Sequence, residues 1–365
     1  MRRIYADHAA TTPLTPEARE AMLPWLDAGN ASSLHAEGRR AKAAIDEARE
    51  ILSQTLGCEF GEVVFTSGGT EGANLAILGV ALANPDSRKR RILLGAAEHH
   101  CVLHTQKLLE RIGYQVDIIR VDRHALLDVD ELRAALTSDV LLVSAMHANN
   151  ELGTINDVRR IAGIVHESGA LLHVDAVQSF LSLPWKVGDL NADLVSVSAH
   201  KVNGPKGVGA LYIRAGIKPA ALAVGGGQER ELRAGTENVA GIVGFAAAIQ
   251  INRGHARPAR DAFEAAIAPF ATRMVPPEVP RLPGHCHFRV PGRQAESLLI
   301  RLDREGIAAS SGAACSSGAI EPSHVLLAAG YSPAEAKEGV RFSFGHGSTV
   351  EEAQEAARRL ETILR

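Results

Sequence analysis

SVSAHKVNGPKG, residues 196–207, begins as a short apolar run and ends in a Gly/Pro turn, with Ser198, His200 and Lys201 at the junction. In an open α/β sheet, ligands collect beyond the C-terminal ends of parallel strands, so a polar cluster at such a junction marks a sheet edge that carries chemistry. Two other stretches have the same form. HVDAVQS (173–179) leaves an apolar run at Asp175 and Gln178, and FTSGGTEGAN (65–74) passes from an apolar run through a Gly-rich turn into a helical pattern. Three strand ends with polar residues beyond them would converge at one edge of a parallel sheet.

Working outward, short apolar runs recur at residues 63–66, 92–95, 116–121, 140–146, 171–174, 194–198 and 209–213. Helical periodicity lies between them at 41–56, 71–83, 102–112, 129–136 and 158–168. Alternation of this kind predicts an α/β domain, and runs apolar on both faces predict a mostly parallel seven-stranded sheet covered on both sides. A different texture starts near residue 251, where INRGHARPAR ends an apolar helix over 239–249. A smaller α+β segment follows, with helices expected at 261–272, 295–305 and 350–365 and strands at 285–290, 307–310 and 341–343. The expected division is a large α/β domain over 15–250 and a small α+β domain formed by 1–14 and 251–365.

The chain has 365 residues, 46% hydrophobic and 22% charged, with a net charge of −3. That balance offers no general attraction to nucleic acid or to a membrane surface. The basic block Arg88, Lys89, Arg90, Arg91 follows Pro85, Asp86 and Ser87 and reads as a solvated turn before a strand. No run of 18 apolar residues occurs, and the opening MRRIYADHAATTP has no apolar centre of a signal peptide, so a cytoplasmic protein is expected. Cys58, Cys101, Cys286 and Cys315 are far apart, which argues against a disulfide framework or structural zinc.

The residue types at the three strand ends suit an aldehyde cofactor with a pyridine ring and a phosphate. Lys201 offers the amine for a Schiff base, Asp175 a carboxylate to keep a ring nitrogen protonated, and Gln178 a donor for the ring oxygen. Thr70, Ser198 and His200 offer hydroxyls and an imidazole to the phosphate, and the Gly-rich turn offers main-chain N–H groups at a helix start. Singly, Asp175 reads equally as a helix cap, Ser198 and His200 as partners of loop backbone, and Lys201 as a solvent-facing lysine; their joint placement decides between these. EHH (98–100) supplies His99 and His100, one of which suits stacking on the ring and proton transfer. In MHANNELGTI (146–155), Asn149 and Asn150 read equally as turn residues or as amides reaching the ring oxygen or a substrate carboxylate.

The motifs YADHAATTP (5–13), GNASSLHAEG (29–38), FTSGGTEGAN, EHH, MHANNELG, HVDAVQS, SAHKVNGPKGVGALY (198–212), GGGQERELRAGTENV (225–239), SSGAACSSGAIEPSHVL (310–326) and GVRFSFG (339–345) span nearly the whole chain. Together they resemble the class V aminotransferase family and, within it, the NifS/IscS-like cysteine desulfurases. The resemblance implies a fold-type I pyridoxal 5'-phosphate enzyme, homodimeric, with active sites shared between subunits. It implies that Lys201 carries the cofactor, Asp175 pairs with the pyridinium and Gln178 binds the ring oxygen. Gly69, Thr70, Ser198 and His200 hold the phosphate, joined by Thr236 from the other subunit. His99 is the ring-stacking acid–base residue and His100 a bystander; Asn150 contacts cofactor and substrate, and Arg341 grips the substrate carboxylate.

By the same resemblance Cys315, in a loop of small residues, takes sulfur from L-cysteine as a persulfide and leaves alanine. The remaining cysteines match no catalytic position. Implied acceptors are an iron-sulfur scaffold, a tRNA-thiolation relay or a DNA-modification system; beside a scaffold, Cys315 would ligate a nascent cluster transiently, with no intrinsic metal. Two departures bear on partners rather than chemistry: residues 253–284 are shorter and more Pro-rich than in typical members, and the chain stops soon after its final helical pattern. Alternative readings are a selenocysteine lyase or an aminotransferase on the same fold, the latter needing a keto-acid acceptor and no Cys315. A non-enzymatic assembly partner is the third, and it would be expected to lack the lysine or the cysteine.

Overall fold

A computed structural model describes residues 3–251, 256–312 and 321–365. Twelve strands are numbered along the described chain. They are β1 (Ile4–Tyr5), β2 (Val63–Thr66), β3 (Arg91–Gly95), β4 (Gln115–Ile119), β5 (Val140–Ser144), β6 (Leu171–Asp175), β7 (Leu194–Ser198), β8 (Gly209–Ile213), β9 (Thr272–Arg273), β10 (His285–Arg289), β11 (Ile307–Ala308) and β12 (Gly339–Ser343).

Seven of them form the central sheet in the order β2-β8-β7-β6-β5-β3-β4. β8 runs antiparallel to both neighbours and the other contacts from β7 to β4 are parallel. Six strands therefore end at the same edge, and β8 starts there. The period of two along each strand divides the apolar side chains between faces. Val64, Ile92, Leu94, Leu142, Leu194 and Leu211 pack toward the helix Gly69–Ala83. Phe65, Leu93, Val143, Leu172, Val195 and Val197 pack toward the helices Ala36–Leu56, Val158–Glu167 and Val239–Ile249.

Local rules account for these helices. Val158–Glu167 buries Val158, Ile161, Ala162 and Val165 on one stripe, and Asp157 caps it by accepting from the Arg160 N–H. Ala36–Leu56 starts at His35, whose Nδ1 accepts from Gly38 N–H at 3.3 Å, and ends at Gly57 in a left-handed conformation.

A second apolar core lies on the three-stranded antiparallel sheet β12-β10-β9, covered by the helices Arg257–Ile267, Ala295–Arg304 and Val350–Leu364. Phe263 and Phe342 stack there with ring centroids 4.4 Å apart. The start of the chain belongs to this core: β1 pairs in parallel with β11, and Ile4 and Ala6 are buried in it.

Several boundaries differ from the periodicity. The helix expected at 102–112 is two, His100–Leu103 and Gln106–Arg111, because Thr105 turns its hydroxyl back onto the Val102 carbonyl at 2.6 Å. The helix expected at 261–272 runs instead from Arg257 to Ile267; Pro258 fits the first turn, where no N–H is needed, and Thr272 and Arg273 pair with β10. Of the basic block, Arg91 opens β3 and its Nε donates to Asp117 Oδ2 at 2.8 Å, while Arg88 stays on the turn with Asp86. Among the described residues no helix is long and apolar enough to cross a membrane.

Candidate active site

The strand ends bring the polar residues to one cavity of about 380 Å³. Its wall takes Gly69 and Thr70 from beyond β2, His99 from beyond β3, Asn150 from beyond β5, Asp175 and Gln178 from the end of β6, and Ser198, His200 and Lys201 from the end of β7. Arg341 enters from β12 of the second sheet. Thr236 lies exposed after the 228–231 turn and does not line this cavity, and Cys315 is outside the described residues. Ser310 and Gly312, shortly before Cys315 in sequence, line the wall, as does His324 after it. A neighbouring cavity of about 410 Å³ shares Ala9, Gln178 and Lys201 but has none of Asp175, Ser198 or His99 on its wall.

Lys201 sits in the tight turn Ala199–Lys201, and its Nζ donates to the carbonyls of Ala9 at 2.5 Å and Ala10 at 2.9 Å. Burial, and then the Arg341 charge, push the amine down to about 8, against the opposing pull of Asp175 and Asp7. Near neutral pH a useful fraction is therefore the unprotonated nucleophile. Asp175 is buried, with Oδ1 accepting from Val177 N–H at 3.0 Å; burial raises its carboxyl and the Lys201 charge opposes the rise. His99 Nδ1 accepts from Cys101 N–H at 3.1 Å, which in the neutral ring leaves the proton on Nε2. The surrounding wall and the Lys201 charge push that imidazole down to about 4, so it is neutral.

Arg341 is buried and already engaged: Nη2 donates to Asp7 Oδ1 at 2.7 Å and Nη1 to the Asn150 carbonyl at 2.7 Å. Among the described residues its Nε has no partner, nor has Asn150 Oδ1. Periodicity gave no sign of Asp7, nor of the way residues 9–13 close over the Lys201 turn. Thr12 N–H and Oγ1 both donate to the His200 carbonyl, Gln178 Nε2 donates to the Ala9 carbonyl, and Asn203 Nδ2 donates to the Pro13 carbonyl. The signal was present only as the uninterrupted polar and small run ADHAATTP, too irregular for any helix or strand.

The remaining described thiols are poor nucleophiles. Burial and nearby carboxylates push Cys58 up to about 12 and raise Cys101 and Cys286 as well.

These residues fit pyridoxal 5'-phosphate. Ser198 Oγ is buried with no hydrogen-bond partner among the described residues. It lies beside the start of the helix Gly69–Ala83, whose cap residue Gly68 has no side chain to occupy the free N–H groups. An orphaned hydroxyl beside an uncapped 15-residue helix leaves donors for an anion. Gly209 is required at this corner, because a Cβ there would sit 2.6 Å from the Val197 carbonyl oxygen and 2.7 Å from Gly68 Cα. Across the cavity, buried Asp175 is suited to a cationic ring nitrogen.

Several known proteins are similar to this chain. The family model for aminotransferase class-V matches residues 4–355. A protein named cysteine desulfurase IscS from Dictyoglomus turgidum is 42% identical, the match covering all of this chain and 95% of the relative. Among solved structures, one described as a NifS-like protein superposes with a TM-score of 0.91 at 35% identity, covering 99% of both chains. Another, SspA in complex with cysteine, has a TM-score of 0.85 at 35% identity, covering 93% of this chain and 98% of that one. With a family model spanning almost its whole length, this chain belongs to the class-V aminotransferase family.

Proposed function

We propose that this chain is a cysteine desulfurase that uses pyridoxal 5'-phosphate to move sulfur from L-cysteine onto Cys315, leaving L-alanine. The observation that carries this reading is the convergence of Lys201, Asp175, Ser198, His99 and Arg341 on one cavity from two separate sheets. Relatives named cysteine desulfurase, similar over the full length, and a similar structure with cysteine bound support the substrate.

The bound cofactor supplies an electron sink for charge developing at the substrate α-carbon. Gly69, Thr70, Ser198 and His200 would hold its phosphate, Asp175 would pair with its ring nitrogen, Gln178 would donate to its ring oxygen, and His99 would pack against the ring. Arg341, held by Asp7 and the Asn150 carbonyl, presents its free Nε to the substrate carboxylate, with the Asn150 side chain alongside. Lys201 Nζ, with its lowered pKa, takes the α-proton, and His99 Nε2–H carries a proton for the carbon that loses its sulfur. The Cys315 thiolate attacks the substrate sulfur; an S–S bond forms, the C–S bond breaks, and the carbon receives a proton to complete alanine.

Further parts of the reading concern assembly. The large domain spans 15–250 and the small one 1–14 with 251–365, in keeping with the separate apolar cores. Two chains form a homodimer, in which Thr236 of each completes the phosphate site of the other. Leu34 and Val224, 90% and 86% exposed, are apolar side chains that a second copy would cover. The persulfide passes to an acceptor such as an iron-sulfur scaffold or a tRNA-thiolation relay in the cytoplasm.

The test is Cys315→Ser. The variant should keep the visible absorption of the bound cofactor and lose sulfide and alanine formation from cysteine; full turnover in the variant would remove Cys315 as the nucleophile.

A further inference from the structure

Behind the cofactor cavity, and outside its wall, a polar seam crosses the face of the sheet that packs on Gly69–Ala83. Ser144 of β5, His173 of β6 and Ser196 of β7 are all fully buried. Ser144 Oγ and His173 Nδ1 are 2.8 Å apart, and His173 Nε2 and Ser196 Oγ are also 2.8 Å apart. At the β5 end the chain meets Glu98, the residue before His99, with Ser144 Oγ 3.5 Å from Glu98 Oε2. Glu98 is 2% exposed, and its Oε1 accepts from Met146 N–H.

Among the described residues, the groups facing Glu98 offer it no positive charge. Asp175 acts on it from β6, Cys101 lies near both carboxyls, His173 is reached through Ser144, and His324 Nε2 meets only the Glu98 main-chain carbonyl, at 3.0 Å. A carboxyl fully out of water, without a cation and facing a second carboxylate, is held in its neutral form. Burial and then the Asp175 charge push it up to about 8. The direction of the chain follows the Glu98 proton: with Glu98 protonated it can run from Glu98 to Ser144, to His173 Nδ1, and from His173 Nε2–H to Ser196, and with Glu98 ionised it runs the other way, ending with Ser144 Oγ donating to Glu98 Oε2. Ser144 and His173 keep partners either way, so the chain ties Glu98 to β5, β6 and β7 in both states.

We propose that Glu98 is a positioning residue for the cofactor: as a neutral acid ending the Ser196–His173–Ser144 chain, it leaves Asp175 as the single negative charge behind the pyridine ring. Ionising Glu98 would put a second negative charge beside Asp175 and strengthen the hold on a ring-nitrogen proton, so the ring's electronic state would change with Glu98 although Glu98 does not line the cavity. The inference rests on the cofactor assignment above, and the two can fail separately.

The apo protein tests the proton directly. Infrared spectra at pH 7 should contain the C=O band of a protonated carboxylic acid, shifted in D2O, lost as pH rises through about 8 and missing from Glu98→Gln. The cofactor-loaded protein tests the coupling: the visible spectrum of the wild type should change over the same alkaline range, and Glu98→Gln should lack that step. Wild-type apo protein with no such band at pH 7 overturns the proposal, as does a wild-type spectral step that persists unaltered in Glu98→Gln. Glu151 is a second raised carboxyl, so should Glu98→Gln fail to fold, Ser144→Ala decides: removing the hydroxyl at Glu98 Oε2 should shift the band lost through about 8, and a band indifferent to Ser144→Ala overturns the proposal. Absence of any visible cofactor band on loading would instead overturn the cofactor assignment.

Discussion

Lys201 illustrates how little of a residue's chemistry is local. Its sequence neighbours make it a lysine in a turn; two carbonyls from residues 9 and 10 aim its amine, and burial beside Arg341 lowers its pKa. Arg341 is similar, with two of its three nitrogens spent on Asp7 and Asn150. Arg341→Lys keeps the charge but cannot hold both partners and still aim a further donor at a carboxylate as Arg341 Nε does. We expect steady-state kinetics of this variant to show a KM for cysteine raised on the order of tenfold, with a smaller change in kcat. A kcat loss at unchanged KM would separate Arg341 from carboxylate binding. The types Lys, Asp, Ser, His and Gln at strand ends were legible because α/β strands leave their ligands there. Asp7 and Glu98 were not, because each acts through a contact far along the chain or a charge with no periodicity.

At the level of elements, the turn after the Gly225–Gly227 run is held in an unusual form. Glu229, Arg230 and Glu231 are all in the left-handed region, with φ of 47°, 58° and 66°, which non-glycine residues avoid. A buried ion pair compensates: Arg49 on Ala36–Leu56 reaches Glu229 with two bonds of 2.8 and 2.6 Å, and Glu229 Oε2 also accepts from Phe65 N–H at 2.9 Å on β2. Removing one partner leaves the other charged and buried. Glu229→Ala should therefore destabilise the protein by about 3–5 kcal/mol in denaturant unfolding. Seven residues on is Thr236, and the same variant is expected to weaken cofactor binding if that turn delivers Thr236 to a second subunit. Gly209→Ala forces a methyl into main chain on β7 and at the phosphate corner; its midpoint of thermal unfolding should fall, and cofactor affinity with it. Periodicity located the strands on both sides of these features within a residue or two. It missed the helices Pro16–Met22, His324–Ala328 and Pro333–Ala336, which are too short to show a repeat.

For the molecule as a whole, buried titrating groups set opposing limits on stability. His173, His285 and His287 are buried and neutral, His173 pushed down to about 3, His287 to about 4, and His285 well below its usual 6.5. As pH falls below 6.5 the unfolded chain takes up protons that these native rings refuse, so each removes up to about 1.4 kcal/mol of stability per pH unit. Glu98 and Glu151 act in the other direction. Burial raises them from 4.5 to about 8 and about 7, so the native state holds protons that the unfolded chain releases, and stability falls as pH rises through that window. Stability measured by denaturant against pH should peak near pH 6.5, fall on the acid side, and between there and about pH 8 fall less steeply in Glu98→Gln than in the wild type. A monotonic rise through pH 8 would contradict the assigned burial.

By itself the sequence determined the layered α/β class, the seven strands with their common edge, and the residue types waiting at that edge, because strand period, helix period and turn chemistry are local properties. Only the tertiary structure decided that residues 9–13 close over Lys201, that Arg341 reaches the cavity from another sheet, and that Glu98 has no cation to pair with among the described residues. Those depend on contacts across more than a hundred residues and on how much water is excluded, and neither quantity is written in any short stretch of the chain.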